Sequence, residues 1–176
     1  MFKPLIILFI LLRSSICFSE GYDVFGIGIY DVKFDGSSSE NATDIRYERR
    51  FDNSLVDIGP EKDNFFYLKP FAGVELTSDS ALYLISGIYL EDNIGDLVTG
   101  KDNNWHFTPS FGFGYYDDGN GKKLGNKVEF RTTLEFSYEL DNKNRIGISF
   151  GHISNANIGN KNPGAEIISL SYQKPF

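Results

Sequence analysis

The C-terminal stretch RIGISFGHISNANIGNKNPGAEIISLSYQKPF, Arg145 to Phe176, decides how the chain folds. It contains two runs with apolar residues at every second position, separated by a loop rich in Asn and Gly. Side chains two apart on a strand share a face, so His152 and Ser154 end the apolar stripe of the first run and Glu166 begins that of the second. A hairpin with its tip in the loop places Glu166 about opposite His152, with Cβ atoms roughly 5 Å apart. The stretch therefore predicts two antiparallel strands that bring an imidazole, a hydroxyl and a carboxylate together.

These three groups favour a nucleophilic site. In this interpretation Ser154 is the nucleophile, His152 is the general base, and Glu166 orients the imidazole and stabilises its charged form. Taken singly, His152 is more typical of a membrane interface and Ser154 of a strand end. Leaving three polar groups on one lipid-facing surface without a function would cost free energy, which favours the triad. Such chemistry needs no metal and no other cofactor, and we predict neither.

The first nineteen residues form a separate segment. A basic residue, an apolar run over residues 4–12 and small residues near Ser19 have the three-part form of a secretory signal peptide. We therefore divide the chain into a signal peptide, residues 1–19, and one domain, residues 20–176. Cleavage near Ser19 also removes Cys17, the only cysteine, so we predict no disulfide in the mature chain.

Charge and hydropathy exclude two classes of protein. The formal net charge is −7, and removal of the signal peptide makes it more negative. An acidic exported chain lacks the basic footprint of a nucleic-acid-binding protein. No later segment has the roughly eighteen consecutive apolar residues of a membrane helix. If the mature chain lies in a membrane, we expect it to cross as strands.

The mature chain predicts eight antiparallel strands. Alternating segments rich in aromatic and β-branched residues are separated by clusters of Asp, Asn, Gly, Ser and Pro. An even number of strands of about ten residues, together with 16 Phe and 10 Tyr for interfacial girdles and a terminal Phe, favours an all-β transmembrane barrel of the outer membrane over a secreted β-sandwich. The predicted strands are residues 22–35, 44–51, 65–77, 81–91, 105–116, 128–140, 145–154 and 165–176.

With both chain ends on the periplasmic side, odd strands run outward and even strands run inward. The loop 155–164 then lies at the outer rim, where His152, Ser154 and Glu166 face lipid. Three connections fit this topology poorly, because two predicted periplasmic links are long and one predicted outer loop is short: residues 52–64, 92–104 and 78–80.

The motif H-x-S-N at residues 152–155, followed by N-P-G-x-E at residues 162–166, resembles the lipid A 3-O-deacylase family of outer-membrane β-barrel esterases. Further matching stretches extend the resemblance over nearly the whole mature chain: residues 44–48, 68–70, 80–83, 108–116 and 129–131. The resemblance implies an eight-stranded barrel in the Gram-negative outer membrane, with its active site toward the outer leaflet. It also implies cleavage of the ester-linked acyl chain at position 3 of lipid A.

On the matching positions, the resemblance makes Ser154 the nucleophile, His152 the base and Glu166 the orienting acid. Asn155 and Asn162 match the two asparagines of the motif, and the resemblance implies that they position the loop and supply oxyanion donors. The family often has Gly where this chain has Asn157.

The predicted partners are lipid A or lipopolysaccharide as substrate and the lipid of the outer membrane, with no nucleic acid and with a homodimer left open. Lipid A carries phosphates, and we predict that basic residues at the outer rim contact them. These candidates are Lys122, Lys123, Lys127, Arg131 and Lys161. The alternative is that the lysines only keep loops solvated, since exposed charges contribute about 0–1 kcal/mol each.

Two other functions remain open, a barrel phospholipase and a non-catalytic small outer-membrane protein with a structural or adhesive role. His106, the only other histidine, is predicted to be structural. The Asp- and Asn-rich runs at residues 92–93 and 117–120 lack the spacing of an EF-hand and predict solvated turns rather than a calcium site.

Overall fold

The computed structural model describes residues 20–34, 41–59, 67–95, 101 and 103–176. The predicted signal peptide, residues 1–19, lies outside the described residues. Among the residues that are described, no helix is both long and apolar enough to cross a membrane.

Eight antiparallel strands close into a barrel. Each strand pairs with the next one along the chain, and the last pairs with the first from Tyr22 opposite Pro175 to Tyr30 opposite Ile167. This closure confirms the predicted eight-stranded antiparallel barrel. The strands are β1 Gly21–Tyr30, β2 Ala42–Phe51, β3 Tyr67–Thr77, β4 Leu82–Tyr89, β5 Trp105–Asp117, β6 Val128–Glu139, β7 Arg145–Ser154 and β8 Ala165–Pro175.

The two long links on the side opposite the predicted site contain short strands of their own. Val56–Asp57 pairs with the start of β3, and Asp92–Asn93 pairs with the start of β5. The links therefore continue the hydrogen-bonded sheet beyond the barrel end.

Side chains alternate between the lumen and the outer surface along every long strand. On β7, Ile146, Ile148 and Phe150 are 53%, 51% and 41% exposed on the outer surface, whereas the positions between them are buried. The buried positions are mostly small or polar, because eight strands enclose only enough room for side chains to fill. The barrel therefore has an apolar outside and a polar inside.

Ion pairs fill the middle of the lumen. Arg50 lies between Glu48, at 2.9 Å, and Glu135, at 2.6 Å. Arg131 bonds Glu75 at 2.7 Å and also contacts Glu48. All five side chains are at most 3% exposed. Because each charge has an opposite partner, the network can occupy a space from which water is largely excluded.

The barrel end that carries Ser154 is closed by residues 118–127, which connect β5 to β6 and are here called the cap loop. Leu124 of the cap loop is only 1% exposed and belongs to an apolar cluster with Tyr30 and Tyr116. The Tyr116 hydroxyl donates to the Lys122 carbonyl at 2.8 Å. The cap loop is thus held over the lumen by contacts with side chains inside the barrel.

The first strand is shorter than predicted. It ends at Tyr30, and Asp31 has a φ of +61°, a conformation that breaks an extended run in a residue other than glycine. The Val32 N–H then donates to the Glu166 carbonyl at 3.0 Å. Residues 31–34, here called the exit segment, therefore fold over β8, and residue 35 lies outside the described residues.

Candidate active site

His152 on β7 and Glu166 on β8 are directly opposite each other in the register of the two strands. His152 Nδ1 lies 3.3 Å from Glu166 Oε1, and the two side chains are 46% and 29% exposed. An Nδ1–H that donates to a carboxylate fixes the imidazole tautomer and leaves Nε2 able to accept a proton. The pair thus has the geometry of a general base with its orienting acid.

Ser154 is two residues beyond His152 on the same outward side of β7, opposite Phe130 of β6. It is the last residue of the strand and is partly exposed. The strand rise separates its Cα from that of His152 by about 6–7 Å. The structure therefore places the three predicted triad residues on the outer surface at one end of the barrel, next to the apolar stripe of β7.

Gly164 forms the wall beside the imidazole. A Cβ atom at this position would lie 3.0 Å from Cε1 and 3.6 Å from Nε2 of His152. Its φ of +60° is also a conformation that glycine adopts at least cost. The N-P-G-x-E motif thus supplies both the acid and the space in which the base sits.

Asn155 holds the loop that follows Ser154. Its side chain is completely buried, and Nδ2 donates to the Leu124 carbonyl at 2.8 Å and to the Lys161 carbonyl at 2.7 Å. Its backbone N–H donates to Asn162 Oδ1 at 3.0 Å. The Asn162 Nδ2 group donates to Asn157 Oδ1 at 3.3 Å. Because these donors are engaged, both asparagines act in this structure as clamps of the loop rather than as free oxyanion donors.

The backbone N–H groups of the two residues after Asn155 are the remaining candidates to receive an oxyanion. Ala156 and Asn157 have φ values of +52° and +62°, and the turn is closed by the Ile158 N–H, which donates to the Asn155 carbonyl at 3.0 Å. Within the described part of the chain, the N–H groups of Ala156 and Asn157 have no acceptor. Asn tolerates the left-handed conformation better than most residues, so Asn157 can stand where the resembled family has Gly.

The predicted phosphate-contacting residues do not form one group. Arg131 is 2% exposed and points into the lumen, where Glu48 and Glu75 hold its guanidinium. Its assignment to the rim was therefore wrong, because the alternation of β6 turns it inward. Lys127 is paired with Asp118 at 3.2 Å, and Lys122 is paired with Asp31. Lys123, Lys127 and Lys161 are exposed, and of these Lys123 and Lys161 form no ion pair with a described residue.

Sequence reasoning missed the exit segment. Phe34 is 68% exposed, and its ring centroid lies 6.0 Å from that of Phe150 on the outer face of β7. Lys33 Nζ lies 3.0 Å from Asp31 Oδ1. These residues were assigned to the first strand, and only the left-handed turn at Asp31 carries them toward Glu166. The polar run DGSSSE after Phe34 signals a loop but does not show where it goes.

His106, which was predicted to be structural, lies at the other end of the barrel, with Nε2 3.6 Å from Glu139 Oε2. No cluster of three or more His, Cys, Asp or Glu side chains with the arrangement of a metal site occurs among the described residues.

The family model described as lipid A 3-O-deacylase (PagL) matches residues 87–175, just over half of the chain, and includes all three predicted triad residues. The lipid A deacylase PagL of Bordetella bronchiseptica is 36% identical over 55 residues, which are 31% of this chain and 31% of that protein. The chain is thus matched over less than a third of this relative's length.

Two solved structures resemble the barrel. The crystal structure of the outer membrane enzyme PagL aligns with a TM-score of 0.61 at 16% identity, covering 88% of this chain and 99% of that chain. A structure from the de novo design of transmembrane β-barrels aligns with a TM-score of 0.55 at 12% identity, covering 88% of this chain and 95% of that chain. At these identities the likeness concerns the fold.

Proposed function

The chain belongs to the lipid A 3-O-deacylase (PagL) family, and from this premise we propose that it is an outer-membrane serine esterase that removes the ester-linked acyl chain at position 3 of lipid A. The observation that carries the proposal is the His152–Glu166 contact of 3.3 Å on the outer surface, with Ser154 on the same side of β7. A base, its orienting acid and a hydroxyl at one barrel end are the components of acyl transfer.

In the proposed reaction, Ser154 Oγ attacks the ester carbonyl carbon while His152 Nε2 takes the hydroxyl proton. Glu166 stabilises the imidazolium, and the N–H groups of Ala156 and Asn157 stabilise the tetrahedral oxyanion. Cleavage of the bond between the acyl carbon and the sugar oxygen sends the proton from His152 to that oxygen. His152 then deprotonates a water molecule, which attacks the acyl carbon of the acyl-enzyme. The bond from this carbon to Ser154 Oγ breaks, His152 returns the proton to Oγ, and the fatty acid is released.

The position of these residues suits a substrate that stays in the bilayer. Lipid A, the membrane anchor of lipopolysaccharide, lies in the outer leaflet with its ester bonds just below the headgroups. A site on the outer surface of a barrel meets such a bond without removing the lipid from the membrane. We propose that the acyl chain lies along the apolar outer side chains of β7 and β8, namely Ile148, Phe150, Ile168 and Leu170.

We propose that the site lies at the outer leaflet. One chain supplies the whole triad, since β7 and β8 carry all three residues. A homodimer is therefore not needed for the chemistry. Among the predicted phosphate contacts, Lys123 and Lys161 are exposed and form no ion pair with a described residue, whereas the exposed Lys127 is paired with Asp118. Sedimentation of the detergent-solubilised protein distinguishes a monomer from a dimer.

The proposal is tested by fatty-acid release from two substrates. Purified protein is incubated with lipid A in mixed micelles and, in parallel, with glycerophospholipid vesicles that lack lipid A. We expect release from lipid A only, together with a lipid product that lacks one acyl chain. Comparable release from the vesicles would assign a phospholipase instead. If folded barrel, verified by heat-modifiable migration, released fatty acid from neither substrate, the chain would not be an esterase of this kind.

A further inference from the structure

At the barrel end that carries Ser154, two lysines from different loops contact the same carboxylate oxygen of Asp31. Lys33 Nζ lies 3.0 Å from Asp31 Oδ1, and Lys122 Nζ contacts the same oxygen at 2.5 Å. Lys33 belongs to the exit segment and Lys122 to the cap loop. Their ammonium groups therefore lie close enough for a single tetrahedral anion to contact both.

The exit segment fixes this pair beside the proposed triad. On one side of Lys33, the Val32 N–H donates to the carbonyl of Glu166 at 3.0 Å. On its other side, Phe34 packs on Phe150, which is two residues before His152 on the outer face of β7. Lys33 is thus held between two anchors on the strands that carry the acid and the base.

On an acidic protein of formal net charge −7, two ammonium groups here share one carboxylate, that of Asp31, which is only 6% exposed. Glu166 is a further negative charge near Lys33, and its carboxylate contacts His152. Lys127, by contrast, lies between Asp117 and Asp118. The side chains of Lys33 and Lys122 are 26% and 19% exposed, so both can be reached from the rim.

Burial also makes the charged form of Lys122 less favourable. The pKa of Lys122 is held below its ordinary value, chiefly by burial and further by the neighbouring Lys33. A bound anion would favour the charged form of both lysines, because opposite charges at close range stabilise each other. Phosphate monoesters meet this need with more than one negative charge and several acceptor oxygens.

We propose that Lys33 and Lys122, held together by Asp31, bind a phosphate group of the lipid headgroup whose ester the triad cleaves. The inference rests on the proposed function for the identity of the lipid and deepens it by naming the anchor of the headgroup. Lys122 was already a candidate from the sequence. Lys33 is an additional candidate. Lys33 and Lys122 replace Arg131 as proposed phosphate contacts, because Arg131 points into the lumen.

The test compares phosphorylated with enzymatically dephosphorylated lipid A in mixed micelles at low salt. Lys33→Gln and Lys122→Gln are each expected to raise KM for the phosphorylated substrate about threefold to tenfold, as for loss of one charged contact. Turnover should change little, since the contact is present in both the ground state and the transition state. KM for the dephosphorylated substrate should not change. Lys33→Arg should restore most of the lost affinity.

Lys143→Gln is the matched control, because this lysine is 72% exposed in the turn at the opposite barrel end. It should leave both substrates unaffected. An equal KM change on the two substrates, or none on the phosphorylated one, overturns the proposal. Stimulation of dephosphorylated lipid A cleavage by added inorganic phosphate would assign the site to free phosphate and overturn the headgroup assignment.

Binding of the two lipids to Ser154→Ala protein, with and without Lys33→Gln, separates this inference from the proposed function. A preference for phosphorylated lipid that disappears with Lys33→Gln supports the phosphate site even if wild-type protein releases no fatty acid. Wild-type deacylation without such a preference overturns the phosphate site and leaves the esterase proposal intact.

Discussion

The backbone conformation of Gly164 affects the position of the neighbouring His152 side chain. Its left-handed φ of +60° brings the backbone against the imidazole edge, where an added Cβ would lie 3.0 Å from His152 Cε1. The imidazole is held at Nδ1 by Glu166. Two neighbours of opposite kind, a glycine and a carboxylate, therefore fix the orientation of the proposed base.

We predict that Gly164→Ala lowers kcat by about tenfold to a hundredfold, because a ring displaced by even one ångström can lose this much. The barrel should still assemble. The control is Gly151→Ala on the same strand as His152, where an added Cβ meets atoms only at 3.6 Å and beyond. Steady-state deacylation by the two purified variants measures the difference. Equal activity of both variants would show that Gly164 has no positioning role.

The cap loop and the loop 155–164 are connected by hydrogen bonds. Asn155 Nδ2 donates to one carbonyl in each of them, Leu124 and Lys161. The cap loop in turn is fastened to β5 through Tyr116 and to the exit segment through Lys122 and Asp31. Three connections far apart in the sequence thus form one layer over the barrel end, with the triad at its edge.

Asn155→Ala should loosen this layer without opening the barrel. The substitution removes the amide donor from the carbonyls of Leu124 and Lys161, which costs about 1–3 kcal/mol for a buried carbonyl such as that of Leu124. We expect a loss of deacylation of at least tenfold and faster trypsin cleavage after Lys161. Asn142→Ala is the control, because Asn142 Oδ1 accepts the Asn144 N–H within the turn at the opposite barrel end. Unchanged trypsin cleavage and activity in Asn155→Ala would contradict the clamp.

Sequence patterns predicted the strands and their faces because lipid imposes a period of two on the outer surface. The pairing of Glu166 with His152 followed from the length of a single hairpin loop. The exit segment was not predictable in this way, since its course depends on one left-handed residue, Asp31, and on contacts with β8. For the same reason the sequence indicated Lys122 as a rim cation but did not reveal its neighbour Lys33.

At the scale of the whole molecule, the barrel is held together from inside by charge. Glu135 is fully buried and accepts hydrogen bonds from Arg46, Arg50 and Gln173. The partners come from β2 on one side and β8 on another, so one carboxylate links strands across the lumen. Sequence alternation indicated which side chains face inward, but the pairing of these charges across the barrel depends on three-dimensional closure.

Glu135→Ala should destabilise the barrel by about 3–5 kcal/mol, because the buried guanidinium groups of Arg46 and Arg50 would then share Glu48 alone, with one positive charge in excess. The turnover of the folded fraction should be preserved, since the network is inside and the triad is outside. Ser137→Ala is the control, as this lumen-facing hydroxyl of β6 has no hydrogen-bond partner among the described residues. Urea unfolding in detergent micelles measures both variants. Equal unfolding midpoints would refute a stabilising role of the network.

The central claim is that Ser154 on the outer surface attacks an ester of lipid A. Its most direct test is mass spectrometry of lipid A from Gram-negative cells that lack such an activity and express either the wild-type chain or Ser154→Ala. The wild-type chain should yield lipid A lighter by one ester-linked acyl chain. Ser154→Ala should leave the mass unchanged while the barrel migrates as a folded, heat-modifiable species. The same loss of an acyl chain with Ser154→Ala as with the wild type would contradict the account.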